Sequence, residues 1–121
     1  MNMIIITALA LLLVHAWLLP AIFTMKDVNW LLGARDEPID FGVHALRAKR
    51  AAANYMESLP AFLLLALLAK IDGVDLGSLP LVWLILRVVY AGLYLAGTPV
   101  VRTVVWLASL VVMVMMAIAL L

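Results

Sequence analysis

The ionisable and hydrogen-bonding side chains that could do chemistry here fall inside stretches that are otherwise apolar. Arg47, Arg50, Asn54 and Glu57 are spaced so that, at about 100° per helical residue, all four share an arc of roughly 80°. Arg87, Tyr90 and Tyr94 repeat the pattern further along the chain. A charged group within a membrane span costs roughly 2.5 to 3.5 kcal/mol, so such residues face a protein interior and are kept for a reason. Two readings are open. In one, Glu57 and Arg87 form a structural ion pair, the tyrosines bond locally, and Arg47, Lys49 and Arg50 anchor a helix among lipid headgroups. In the other, the facing stripes line a site for a small zwitterionic or multiply charged ligand, because one ion pair leaves Arg50, Asn54 and both tyrosines unexplained.

The elements that must position these residues follow from composition. The chain has 121 residues, is 69% hydrophobic and has a mean hydropathy of +1.23, more apolar surface than a soluble core of this size can hide. Four apolar stretches, Met3 to Met25, Ala45 to Ala69, Leu79 to Ala96 and Pro99 to Leu121, each approach the ~20 residues that cross a bilayer as helix. The expected fold is all-α: an integral membrane four-helix bundle forming a single domain over residues 1–121. The first stretch reads as a retained helix, since no Lys or Arg precedes it and it ends in Phe23-Thr24-Met25 without a small-residue cleavage site. Pro20 is expected to kink it, and His15, near its middle with no second ligand nearby in sequence, reads as structural.

Lys26, Arg35, Arg47, Lys49 and Arg50 lie between the first two spans or at their edge, Arg102 lies at the third connection, and Lys70 alone lies at the second. The positive-inside rule then puts the first and third connections in the cytoplasm and both termini on the other side. The first connection, Lys26 to Phe41, is long enough to serve as a mobile cover, with Trp30, Leu31 and Leu32 at the headgroup boundary. The second, around Gly73 and Gly77, reads as a plain turn. Thr98-Pro99 opens the last span as N-cap and first helical residue. Ala51, Ala52 and Ala53 allow close helix approach. There is no cysteine, which excludes disulfides, thiolate metal sites and thiol redox chemistry by the protein itself. A small proton-coupled exporter would want an acidic residue in the first span, and none is present.

The run Arg47-Ala-Lys-Arg50-Ala-Ala-Ala-Asn54-Tyr-Met-Glu57-Ser-Leu-Pro60 resembles the signature of the MAPEG proteins, the membrane-associated proteins in eicosanoid and glutathione metabolism. The likeness continues through Arg87-Val-Val-Tyr90-Ala-Gly-Leu-Tyr94 to Arg102, and suggests a short bacterial member. It implies homotrimers of four-helix subunits with glutathione bound between neighbours near the cytoplasmic leaflet. Carried over by position, Arg47, Arg50, Asn54, Glu57, Tyr90 and Tyr94 would bind glutathione. Arginine suits a peptide carboxylate, glutamate the γ-glutamyl amine, and asparagine either. Arg102 would be catalytic, its charge and the N-terminus of the last helix together stabilising a thiolate. The implied activity is that of a glutathione-dependent transferase or peroxidase acting on lipophilic electrophiles or lipid hydroperoxides, with glutathione as co-substrate. No metal and no nucleic acid are expected, the partners being membrane lipid and further copies of the chain, and the location the bacterial inner membrane. The alternative is a family member that binds its ligand without catalysis.

Overall fold

The computed structural model describes residues 1–121 and contains only helices. We number them α1 (Asn2–Phe23), α2 (Val28–Leu32), α3 (Val43–Asp72), α4 (Leu79–Ala96) and α5 (Pro99–Ala119). All but α2 are long and apolar enough to cross a membrane. Only 22 of the 121 residues are buried, while residues such as Met3, Trp17, Leu64 and Val100 lie exposed along the helices. Burial that sparse suits a bundle whose outer face meets lipid rather than water.

The 30 residues of α3 extend it to about 45 Å, beyond the ~30 Å hydrocarbon layer, so the helix begins outside the lipid and carries Arg47, Lys49 and Arg50 at that end. Its inward face reads Ala45, Ala48, Ala51, Ala52, Tyr55, Leu59, Phe62, Ala66 and Ala69. The three- and four-residue steps keep that row on one side, and the alanines let the neighbouring backbones approach. Ala53, expected among them, is exposed. Trp83 of α4 stacks on Phe62 with ring centroids 3.9 Å apart, and Val112 and Met116 of α5 complete the core.

In α1 the distortion attributed to Pro20 takes the form of a π-helical segment, Val14–Leu18, where Leu19 N–H donates to Val14 O. Pro20 has no N–H to return to the carbonyl of Ala16, and the wider turn directly precedes it. His15 is buried there, its Nδ1 2.9 Å from Leu11 O and its ring stacked on Tyr55 at 4.6 Å. Tyr55 in turn donates to Ala8 O at 2.8 Å, tying α3 to α1.

The first connection folds upon itself. Trp30 Nε1 donates to Glu37 O, Arg35 donates to Leu31 O from Nε and Nη2, and Phe41 takes Trp30 on its edge and the Lys49 ammonium on its face. No residue of this connection lines the cavities described below.

Candidate functional site

Three helices bring the polar residues together at one end of the bundle. Asn54 from α3, Tyr90 from α4, and Arg102, Thr103 and Trp106 from α5 line a cavity of about 280 Å³. A second cavity of about 180 Å³ adjoins it, sharing Asn54 and Trp106 and adding Glu57, Ser58, Ala61, Leu110 and Met113. The two form one groove between α3 and α5 that is polar at the Arg102 end and apolar at the Met113 end.

The corner between α4 and α5 places Arg102. Helix α4 ends on Gly97, whose φ of 77° is a left-handed conformation that L side chains rarely adopt. Its N–H returns to Leu93 O and Tyr94 O. Thr98 is the N-cap of α5 by position and Pro99 opens the helix, as expected, but the Thr98 hydroxyl makes no bond to α5. It donates back to Leu93 O at 3.1 Å, closing the end of α4 instead. Arg102 therefore sits in the first turn of α5. Its Cζ lies 4.3 Å from the centre of the Tyr94 ring, and Tyr94 meets Tyr90 edge-on at 5.7 Å.

The expected ion pair between Glu57 and Arg87 is not formed. Arg87 Nη2 donates to Asn54 Oδ1 at 2.6 Å, while its Nε and Nη1 have no partner. The reason is rotational: Asn54 lies one turn before Glu57 on α3 and looks toward α4, whereas Glu57 is exposed and looks along α5. Arg87 is instead surrounded by the rings of Tyr90, Tyr55 and Trp83, at 4.7, 5.7 and 6.0 Å.

Of the glutathione-binding set expected from the sequence, Asn54, Glu57 and Tyr90 line the groove, and Tyr94 flanks it through Arg102. Arg47 and Arg50 line neither cavity. Arg47 reaches to the α4 end, donating from Nη1 to Leu95 O at 3.2 Å and filling the space beside Gly97. Arg50 is exposed beyond the groove. Thr103 and Trp106 were missed from the sequence, although Trp106 follows Arg102 by one helical turn and that spacing alone puts them on one face.

The family model described as the MAPEG family matches residues 3–121. No curated protein and no solved structure matches the chain. The matched region covers all four spans and every residue of the groove, so the chain belongs to the MAPEG family and is a multi-pass integral membrane protein of the kind that serves glutathione and eicosanoid metabolism.

Proposed function

We propose that this protein is a glutathione-dependent membrane transferase or peroxidase. It binds glutathione as co-substrate in the α3/α5 groove, and Arg102 holds the thiol as thiolate. The thiol proton leaves to solvent. The thiolate sulfur then either attacks an electrophilic carbon, forming the C–S bond as the C–X bond breaks and X⁻ leaves, or attacks the terminal oxygen of a lipid hydroperoxide. In the second case the O–O bond breaks to give, with a proton from solvent, the lipid alcohol and glutathione sulfenic acid, which a second glutathione converts to the disulfide and water.

The observation that carries this reading is the gradient along the groove. Arg102, Asn54 and Thr103 supply donors at one end, Glu57 supplies a carboxylate in the adjoining cavity, and Ala61, Leu110 and Met113 continue it as an apolar channel. A peptide thiol with carboxylates and an amine asks for that mixture of donors and one acceptor, and a lipid-soluble reactant asks for the channel. Lowering a thiol pKa by about two units takes about 2.7 kcal/mol of preferential thiolate stabilisation, within reach of a guanidinium in the first turn of a helix. Glu57 and Arg50 both lie exposed on the protomer surface. Leaving Glu57 against hydrocarbon is costly, which supports a homotrimer whose neighbours cover it and whose Arg50 helps hold glutathione.

The test is the thiolate absorbance of the detergent-solubilised protein as glutathione is added. The wild type is expected to develop the band, and Arg102→Ala to bind glutathione without it and to lose roughly 10²- to 10³-fold in kcat. Full turnover by Arg102→Ala would refute the assignment. Binding without a thiolate band in the wild type would make the protein a binder rather than an enzyme.

A further inference from the structure

Arg87 is 1% exposed, lies inside a membrane span, makes one hydrogen bond and leaves Nε and Nη1 without partners. A charge buried for stability alone would be paired and fully bonded, and even then an apolar replacement is often as stable. What Arg87 does touch is the wall of the groove, through Asn54 and Tyr90, although it lines neither cavity itself.

The contact with Asn54 has a fixed sense. A guanidinium only donates, so Asn54 must turn its Oδ1 toward Arg87. The other end of the amide, Nδ2, makes no hydrogen bond within the protein and is not sealed from the cavity. An asparagine free of Arg87 could present either end to a ligand, whereas this one presents its donor. Beneath the same wall, the Arg87 guanidinium supports the Tyr90 ring at 4.7 Å.

We propose that Arg87 is a positioning residue that sets the polarity of the site: it locks Asn54 donor-outward, so that this wall favours a carboxylate of the bound peptide thiol over an amide, whose neutral oxygen is the weaker acceptor. The proposal rests on the reading of the groove as a glutathione site. It also accounts for a buried cation that packing alone leaves unexplained.

The experiment measures the affinity of the solubilised protein for glutathione and for its two mono-carboxamide analogues, each with one carboxylate replaced by an amide. The wild type is expected to lose roughly 10-fold on one of them, the difference between a charge-assisted and a neutral hydrogen bond. In Arg87→Met, where the Asn54 amide can turn over, that discrimination is expected to fall to within about threefold, while Arg87→Lys, still a pure donor, keeps most of it. Asn54→Asp retains the partner of Arg87 but offers an acceptor to the cavity, and is expected to favour the amide. Undiminished discrimination in Arg87→Met or Asn54→Asp overturns the inference while leaving the glutathione reading intact. Absence of glutathione binding by the wild type overturns both.

Discussion

At the scale of single residues, the function proposed above gives two side chains of the groove different tasks, Arg102 for charge and Trp106 for shape. Trp106 forms the shared wall of the polar and apolar cavities. Trp106→Ala widens the groove at that wall, so the Michaelis constant for a model aryl halide is expected to rise on the order of tenfold, about 1.4 kcal/mol of lost contact. The glutathione thiolate band should persist because Arg102 is untouched. A loss of the band in this variant would mean that the indole positions the thiol itself. Of the polar residues singled out in the sequence, conspicuous because such groups are expensive in a membrane span, the structure brings Asn54, Glu57, Tyr90 and Arg102 to one groove and leaves Arg47 and Arg50 outside it. Their partners were not readable. Asn54 and Glu57 are equally good matches for Arg87 by spacing, and only the rotation of α3 against α4 decides between them. Trp106 escaped notice because an aromatic residue in an apolar span carries no such signal.

At the scale of elements, the spans were legible from apolar length, and the structure shifts their ends by a few residues. Less legible were the π turn before Pro20 and the folded first connection. Both arise from local hydrogen-bond bookkeeping that composition does not record. The corner at Gly97 was read as an N-cap with proline, and its glycine carries a further constraint. A Cβ there would approach the Arg47 guanidinium to 2.7 Å, in a backbone conformation that already disfavours side chains. Gly97→Ala is therefore expected to cost roughly 1 to 2 kcal/mol and to push Arg47 off the Leu95 carbonyl, lowering thermal stability in detergent. Arg47→Ala tests the linkage: if the strut matters, the cost of Gly97→Ala on that background is smaller than on the wild type, and simple additivity of the two would show them to be independent.

At the scale of the whole molecule, the distribution of charge bears on how the bundle sits in the membrane. We propose that the first and third connections face the cytoplasm, with both termini opposite, since Lys70, in the last turn of α3, is the one Lys or Arg side chain beside the second connection. The absence of cysteine makes this easy to check. Gly42→Cys, at an open position before α3, and Ser78→Cys, exposed before α4, each introduce a single thiol. In intact cells a membrane-impermeant maleimide is expected to label Ser78→Cys and to spare Gly42→Cys until the membrane is opened. The reverse pattern would invert the bundle, and with it the side of the membrane on which the Arg102 end of the groove lies.

The two-residue corner of Gly97 and Thr98 also sets an azimuth. Helix α5 has no freedom to choose which side of itself Arg102 occupies, because the corner fixes where the first turn begins. One residue added between Pro99 and Arg102 would advance the guanidinium by about 100° around the helix axis, away from the Tyr94 ring it now covers. The same addition beyond Met113 would leave it where it is. Tolerance to length change along α5 is thus sharply uneven, near zero over its first turn and rising toward its end, in a helix whose composition is almost uniform.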